Sequence, residues 1–150
     1  WIHGEHLMFD LPEGKALLAK CPEHDVIVTA ESKGIPLAYE LARIGCRNYV
    51  VARKGVKAYM EDPIHVEVKS ITTDHVQKLY LSKADCENLK AKRILIVDDV
   101  ISTGESLAAM EELLHTIGGQ VVGKACVLAE GDAKDREDII FLEPLPLFFK

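Results

Sequence analysis

Two periods of apolar residues organise this chain. Val26-Ile27-Val28-Thr29-Ala30 and Tyr49-Val50-Val51-Ala52 are short, near-continuous apolar runs. Each predicts a buried strand rather than one with a wet face. Between them Ile35, Ala38, Leu41 and Ala42 recur at helical spacing, so residues 34–45 read as a helix with Gly45 as its stop. Upstream, residues 13–21 read as a short helix with Leu17 and Leu18 inward, and residues 1–13 carry no clear pattern.

From residue 54 to 83 the core signal fades and charge rises. His65-Val66-Glu67-Val68-Lys69-Ser70-Ile71 alternates strictly, and Val76-Gln77-Lys78-Leu79-Tyr80-Leu81 more loosely, with Thr72-Thr73-Asp74-His75 between them. This predicts a long two-stranded flap within residues 58–82, polar on one face, of the kind that closes over substrates. Core order then returns. Residues 94–97 form an apolar strand. Residues 104–117 form a helix with Leu107, Met110, Leu114 and Ile117 on one side, ended by Gly118-Gly119. Residues 121–128 and 139–142 are two more strands. The alternation predicts one α/β domain over residues 1–150, with a mainly parallel central sheet flanked by helices and a β-flap.

Composition narrows the setting. The chain has 150 residues, 48% of them apolar, enough for a real core and too apolar for disorder. No apolar run reaches the length of a membrane span, and the chain does not open with a basic start followed by an apolar stretch. A formal net charge of −6 argues against nucleic acid as a primary partner but leaves room for a local basic pocket. Cys21, Cys46, Cys86 and Cys126 lie far apart, and Cys46 and Cys126 stand among apolar residues. Reduced, partly buried thiols in a cytoplasmic protein are expected. The histidines show no metal spacing, and the chain begins with Trp1 rather than Met, as a trimmed product would.

The chemistry concentrates in Arg93-Ile94-Leu95-Ile96-Val97-Asp98-Asp99-Val100-Ile101-Ser102-Thr103-Gly104-Glu105-Ser106. A strand runs into Asp98 and Asp99, where the strand should end and where open α/β sheets bind ligands. Adjacent carboxylates repel unless a cation or hydroxyl donors share the site, so the pair suits ribose hydroxyls and Mg²⁺. The loop that follows suits a phosphate. Gly104 permits close backbone approach, Ser102, Thr103 and Ser106 offer hydroxyls, and a helix begins behind them. The plainer alternative is a solvated turn with a Ser/Thr or Asp cap. Neither a Walker loop nor a G-x-G-x-x-G fingerprint is present.

Val97-Asp98-Asp99-Val100-Ile101-Ser102-Thr103-Gly104-Glu105-Ser106 resembles the signature of type I phosphoribosyltransferases, which bind phosphoribosyl pyrophosphate. Other segments resemble the purine branch, especially its adenine enzymes. Asp25-Val26-Ile27-Val28-Thr29-Ala30-Glu31-Ser32-Lys33-Gly34-Ile35 is similar to the first core strand and pyrophosphate loop, with Lys33 where an arginine is usual. Val51-Ala52-Arg53-Lys54-Gly55-Val56-Lys57 is similar to a V-R-K-x-x-K stretch, and Gly119-Gln120-Val121-Val122-Gly123-Lys124-Ala125 to a structural strand. The resemblance covers about residues 22–145. It implies that Asp98 and Asp99 hold the ribose hydroxyls, directly or through Mg²⁺, as the catalytic acids. It implies that Ser102, Thr103, Gly104, Glu105 and Ser106 cradle the 5′-phosphate. Glu31, Ser32, Lys33 and Gly34 would form the pyrophosphate loop. Arg53, Lys54 and Lys57 would neutralise pyrophosphate, across the interface of a homodimer in many members.

The chain also departs from that pattern. Residues 1–24 make a shortened hood compared with the adenine enzymes, and the flap lacks their E-Y-G tripeptide. Glu67, Asp74 or His75 could assist proton transfer, or belong to a solvated flap surface. Tyr80 and Phe141 could stack on a base or pack in the core. Ser102 stands where enzymes for hypoxanthine and guanine carry an aspartate, which favours adenine. The activity implied is Mg²⁺-dependent transfer of phosphoribose to a purine base, most simply adenine giving AMP and pyrophosphate in purine salvage. The alternatives are transfer to another base (xanthine, orotate) or binding of the sugar pyrophosphate as a non-catalytic sensor. A phosphoacceptor receiver domain fits poorly, because its acid pair lies near the start of the chain.

Overall fold

The computed structural model describes residues 2–3, 6–7, 11–58, 60, 63–69 and 76–145. A two-residue ladder pairs β1 (Ile2–His3) with β2 (His6–Leu7). Then follow α1 (Leu11–Lys20), β3 (Val26–Ala30), α2 (Ile35–Gly45) and β4 (Asn48–Ala52). The expected flap is an antiparallel hairpin of β5 (Ile64–Lys69) and β6 (Val76–Leu81). Residues 70–75, Asp74 and His75 among them, lie outside the described residues, as does the side chain of Glu67. The rest of the chain is α3 (Lys83–Leu89), β7 (Arg93–Ile101), α4 (Glu105–Thr116), β8 (Gln120–Glu130), a 3₁₀ turn at Gly131–Asp135 and β9 (Ile140–Leu145).

Five strands make one parallel sheet in the order β4-β3-β7-β8-β9. Successive side chains on a strand point to opposite faces, and both faces here are covered. Val26 and Val28 of β3, with Ile94 and Ile96 of β7, meet Leu107, Met110, Leu113 and Leu114 of α4, Leu89 of α3 and Leu79 and Leu81 of β6. Ile27, Leu95 and Val97 point the other way, onto Leu17 of α1 and Leu37 and Leu41 of α2. The near-continuous apolar runs therefore serve two cores at once. Leu95 is fully buried, and truncating it to alanine would cost about 2–5 kcal/mol.

The sheet corrects several expectations. α3 was not anticipated; it starts on Ser82, whose Oγ accepts the Asp85 N–H at 3.1 Å. The inward face of α2 centres on Leu37, with Ile35 only half-buried. The left-handed residue that ends α2 is Cys46 (φ 54°), one position past Gly45, and the Arg47 N–H closes the turn on the Ala42 carbonyl at 2.9 Å. That conformation leaves Cys46 exposed rather than among apolar neighbours. Cys21, Cys86 and Cys126 are free and at least partly buried, and burial pushes the Cys126 thiol up to about 12 and the Cys21 thiol up to about 11. Phe141 packs beside the core, whereas Tyr80 joins the flap to the sheet through paired backbone hydrogen bonds with Arg53 of 2.7 and 2.9 Å.

Candidate active site

Chain order reverses across the sheet between β3 and β7. The strand after β3 lies on one side of it and the next core strand on the other. The loops leaving β3 and β7 must therefore diverge, opening a crevice at the carboxyl ends of these strands. The acid loop, the loop after β3 and the segment after β4 lie in or beside that crevice, whereas Gly119–Ala125 lies at the opposite end, where β8 starts beside Arg93.

Asp98 and Asp99 do not lie past the end of their strand, as expected, but inside it. β7 keeps its ladder with β8 through Asp98↔Cys126, Val100↔Leu128 and Ile101↔Ala129. The sheet thus fixes the backbone under both acids. Asp98 Oδ1 accepts the Asp99 N–H at 2.8 Å. Burial, with the Asp99 carboxylate alongside, holds the Asp98 carboxyl well above the usual carboxylate range. Among the described residues no three His, Cys, Asp or Glu side chains cluster as a metal cage. Asp98 lines the cavity behind the loop, and adjacent carboxylates suit Mg²⁺, which takes one or two carboxylates and completes its shell with substrate oxygens and water.

The loop after β7 wraps a cavity of about 150 Å³, lined by Ala30, Asp98 and residues 100–107. That is the scale of a phosphate group rather than a nucleotide. Ser102 Oγ donates to Glu130 Oε1 at 3.2 Å, and Thr103 Oγ1 accepts the Glu105 N–H at 3.4 Å. Gly104 has φ +82° and opens α4 without a side chain to cap it. A Cβ there would also lie 2.5 Å from Arg136 Nη1. Arg136 backs the loop from outside. Its Nε and Nη2 bond Asp138 at 2.8 and 2.5 Å, Asp138 takes Lys124 at 3.1 Å, and Lys124 reaches Glu111 of α4 at 3.1 Å. The Arg136 guanidinium holds the Asp138 carboxyl well below its usual range.

The loop after β3 meets the acids directly. A Cβ on Gly34 would overlap Thr29 Oγ1 and stand 3.2 Å from Asp98 Oδ1, so only glycine lets this loop pass. Ser32 and Lys33 are exposed. Glu31 turns toward the segment after β4. Its Oε2 accepts the Lys54 N–H at 3.0 Å, and its Oε1 meets Lys57 Nζ at 3.3 Å and Arg53 Nη1 at 3.5 Å. The Lys54 N–H first, then Lys57 and Arg53, hold the Glu31 carboxyl below its usual range. The positive field of Lys54 also falls on Asp98.

Residues 11–144 match the family described as phosphoribosyl transferase domain. The chain belongs to the phosphoribosyltransferase family. Hypoxanthine/guanine phosphoribosyltransferase of Methanococcus voltae is 38% identical over 115 residues, 75% of this chain and 56% of that protein. The probable purine biosynthesis transcriptional regulator PurR of Streptococcus pneumoniae is 32% identical over 115 residues, 75% of this chain and 40% of that protein. The crystal structure of adenine phosphoribosyltransferase from Rhodothermus marinus shares the fold, with a TM-score of 0.75, 24% identity and coverage of 89% of this chain and 78% of that one. The chain therefore spans little more than half the length of the curated enzyme relative. The type I fold expected from the sequence, a parallel sheet flanked by helices, is the one observed.

Within this phosphoribosyltransferase domain, sequence reasoning missed two residues at the cradle. Glu130 escaped because β8 was expected to end at residue 128, whereas it runs to Glu130 and brings that carboxylate beside Ser102. Arg136 gave no local signal, since its contact with Gly104 is made only by the tertiary fold. Among the described residues no helix is long and apolar enough to cross a membrane.

Proposed function

We propose that the chain binds phosphoribosyl pyrophosphate with Mg²⁺ and transfers the phosphoribosyl group to a purine base, releasing pyrophosphate. The observation that carries this is the convergence at one switch point of the acid pair, the phosphate-sized cradle and the cation cluster. Asp98 and Asp99 hold the ribose hydroxyls and the metal. Residues Ser102, Thr103, Gly104, Glu105 and Ser106 take the 5′-phosphate, Glu105 through its backbone because its carboxylate would repel the ligand. Ser32, Lys33 and Gly34, with Arg53, Lys54 and Lys57, face the pyrophosphate. Bound Mg²⁺ supplies charge neutralisation for the departing group. A base nitrogen attacks the anomeric carbon as the pyrophosphate oxygen leaves, through an oxocarbenium-like state. The residues act mainly by positioning and by offsetting charge. The flap, residues 58–82, closes to keep water from the activated sugar.

Adenine is the acceptor this reading favours. In the pattern the chain resembles, enzymes for hypoxanthine and guanine usually carry an aspartate where Ser102 stands, while the 38% identical hypoxanthine/guanine phosphoribosyltransferase keeps those bases in the test. A homodimer belongs to the same reading. Tyr39 and Tyr49 stand exposed on α2 and edge strand β4, edge-to-face at 6.2 Å, as an unfinished interface would. The free cysteines support a cytoplasmic, reducing setting.

The test is pyrophosphate release from phosphoribosyl pyrophosphate and Mg²⁺, run with adenine, hypoxanthine, guanine, xanthine and orotate. Release with purines, adenine fastest, is expected. The 32% identical regulator favours a second reading, a sensor of the sugar pyrophosphate. Saturable binding of that sugar with no release on any base would replace the transferase by the sensor.

A further inference from the structure

Glu31 is an odd member of a pyrophosphate site, because its carboxylate repels the ligand. The loop after β3 nonetheless aims it at the cations. Three donors converge on its two oxygens: the Lys54 N–H on Oε2, and Lys57 Nζ and Arg53 Nη1 on Oε1. These are the donors a phosphate oxygen would seek. We propose that Glu31 is a resident counter-anion, a positioning residue that occupies the anion position in the cation cluster and yields these donors to pyrophosphate. The inference rests on the reading of residues 53–57 given under Proposed function.

Three features support an occupant that can be displaced. The side chains of Glu31 and Lys57 are 21% and 40% exposed, so the pair is wet and individually weak. The oxygens of Glu31 hold donors from residues 53–57 in one place, which lowers the cost of ordering them around a ligand. Arg53 Nε is buried without a hydrogen-bond partner among the described residues, so the cluster keeps a donor that Glu31 does not use. A resident carboxylate preserves the geometry of the cations while weakening their grip on pyrophosphate. That combination favours release of the product.

The test is calorimetric titration of the chain with inorganic pyrophosphate in excess magnesium, and separately with ribose 5-phosphate. Glu31→Gln should bind pyrophosphate about 5-fold more tightly than the native chain, with the gain shrinking as salt rises. Its affinity for ribose 5-phosphate should stay within about 2-fold, because Glu31 does not line the cradle. Glu31→Asp should restore the native pyrophosphate affinity. Glu31→Ala must move in the same direction as the amide and serves if the amide does not fold. Unchanged or weaker pyrophosphate binding in the neutral variants, with ribose 5-phosphate still bound, overturns the inference and leaves the proposed function standing. Failure of the native chain to bind either ligand overturns the proposed function, and the inference with it.

Discussion

The loop after β7 carries its chemistry on consecutive residues, whereas the cation half of the site is gathered from two segments that are neighbours only in space. In the first, strand, acids, cradle and helix follow one another from Arg93 to Ser106, and the β8 ladder fixes the backbone beneath Asp98 and Asp99. In the second, Glu31 from the end of β3 meets Arg53, Lys54 and Lys57 from the end of β4. A site written in one stretch inherits its geometry from a single strand–helix unit. A site assembled across strands depends on the sheet register, Val26↔Asn48 through Ala30↔Ala52, to bring its parts together. The contrast ties the acid half to one strand–helix unit and makes the cation half depend on the pairing of β3 with β4.

Removing the acids is the harshest test of the acid half. Asp98→Asn with Asp99→Asn is expected to lower base-dependent pyrophosphate release by at least about 100-fold. The fold should survive with an equal or higher melting temperature near neutral pH, because burial and the Asp99 charge both disfavour ionised Asp98. A melting temperature that falls along with activity would make the pair a structural element instead.

Gly34→Ala strikes the seam between the halves. The new Cβ must push Thr29 Oγ1 and the Asp98 carboxylate aside, at a cost of about 1–3 kcal/mol in stability. Both ribose 5-phosphate and pyrophosphate binding should weaken together. If only pyrophosphate binding suffers in calorimetry, the two halves are less closely joined than the contacts of Gly34 indicate.

Arg136→Ala is milder. It leaves the cradle residues in place and removes the guanidinium that backs Gly104. Ribose 5-phosphate affinity should drop about 3- to 10-fold, with a stability change within about 1 kcal/mol. Asp138→Asn should reproduce part of the loss, and the double variant should lose less than the sum, since one bidentate contact joins the two residues. Strict additivity would mean that Arg136 acts without Asp138.

The same contrast governs what was legible in the sequence. The five core strands, α2, α4 and the acid loop could be read because apolar periodicity and local motif order are properties of consecutive residues. The strand ends were misjudged where polar residues still pair in the ladder. Asp98 and Asp99 break the apolar run of β7 without ending its hydrogen bonds, and Glu130 prolongs β8 in the same way. α3 was overlooked because its apolar stripe is short, Cys86 and Leu89 alone being buried, although Ser82-Lys83-Ala84-Asp85 carries a capping signal. The hub on Glu31 and the contact of Arg136 with Gly104 had no local sign, because tertiary folding alone creates them.

The smallest expected effect comes from the opposite end of the same two strands. β3 and β7 part at the site, but at their start Asp25 clips them together, accepting the Arg93 backbone N–H at 2.9 Å, Nε at 3.2 Å and Nη2 at 3.0 Å. The Arg93 guanidinium, chiefly, lowers the Asp25 carboxyl to about 2. A carboxyl with a lowered folded-state value adds stability above its unfolded value, near 3.9, and loses it as pH falls through the folded one. The clip therefore contributes fully at neutral pH and fades between about pH 4 and pH 2. Asp25→Asn should flatten the stability curve across that acid window and leave affinity for ribose 5-phosphate and pyrophosphate unchanged, as checked by urea unfolding at stepped pH and by calorimetry. A change in ligand affinity would mean that strain passes along β3 and β7 from their tied ends to their open ends, and the crevice would then depend on both termini of the strand pair.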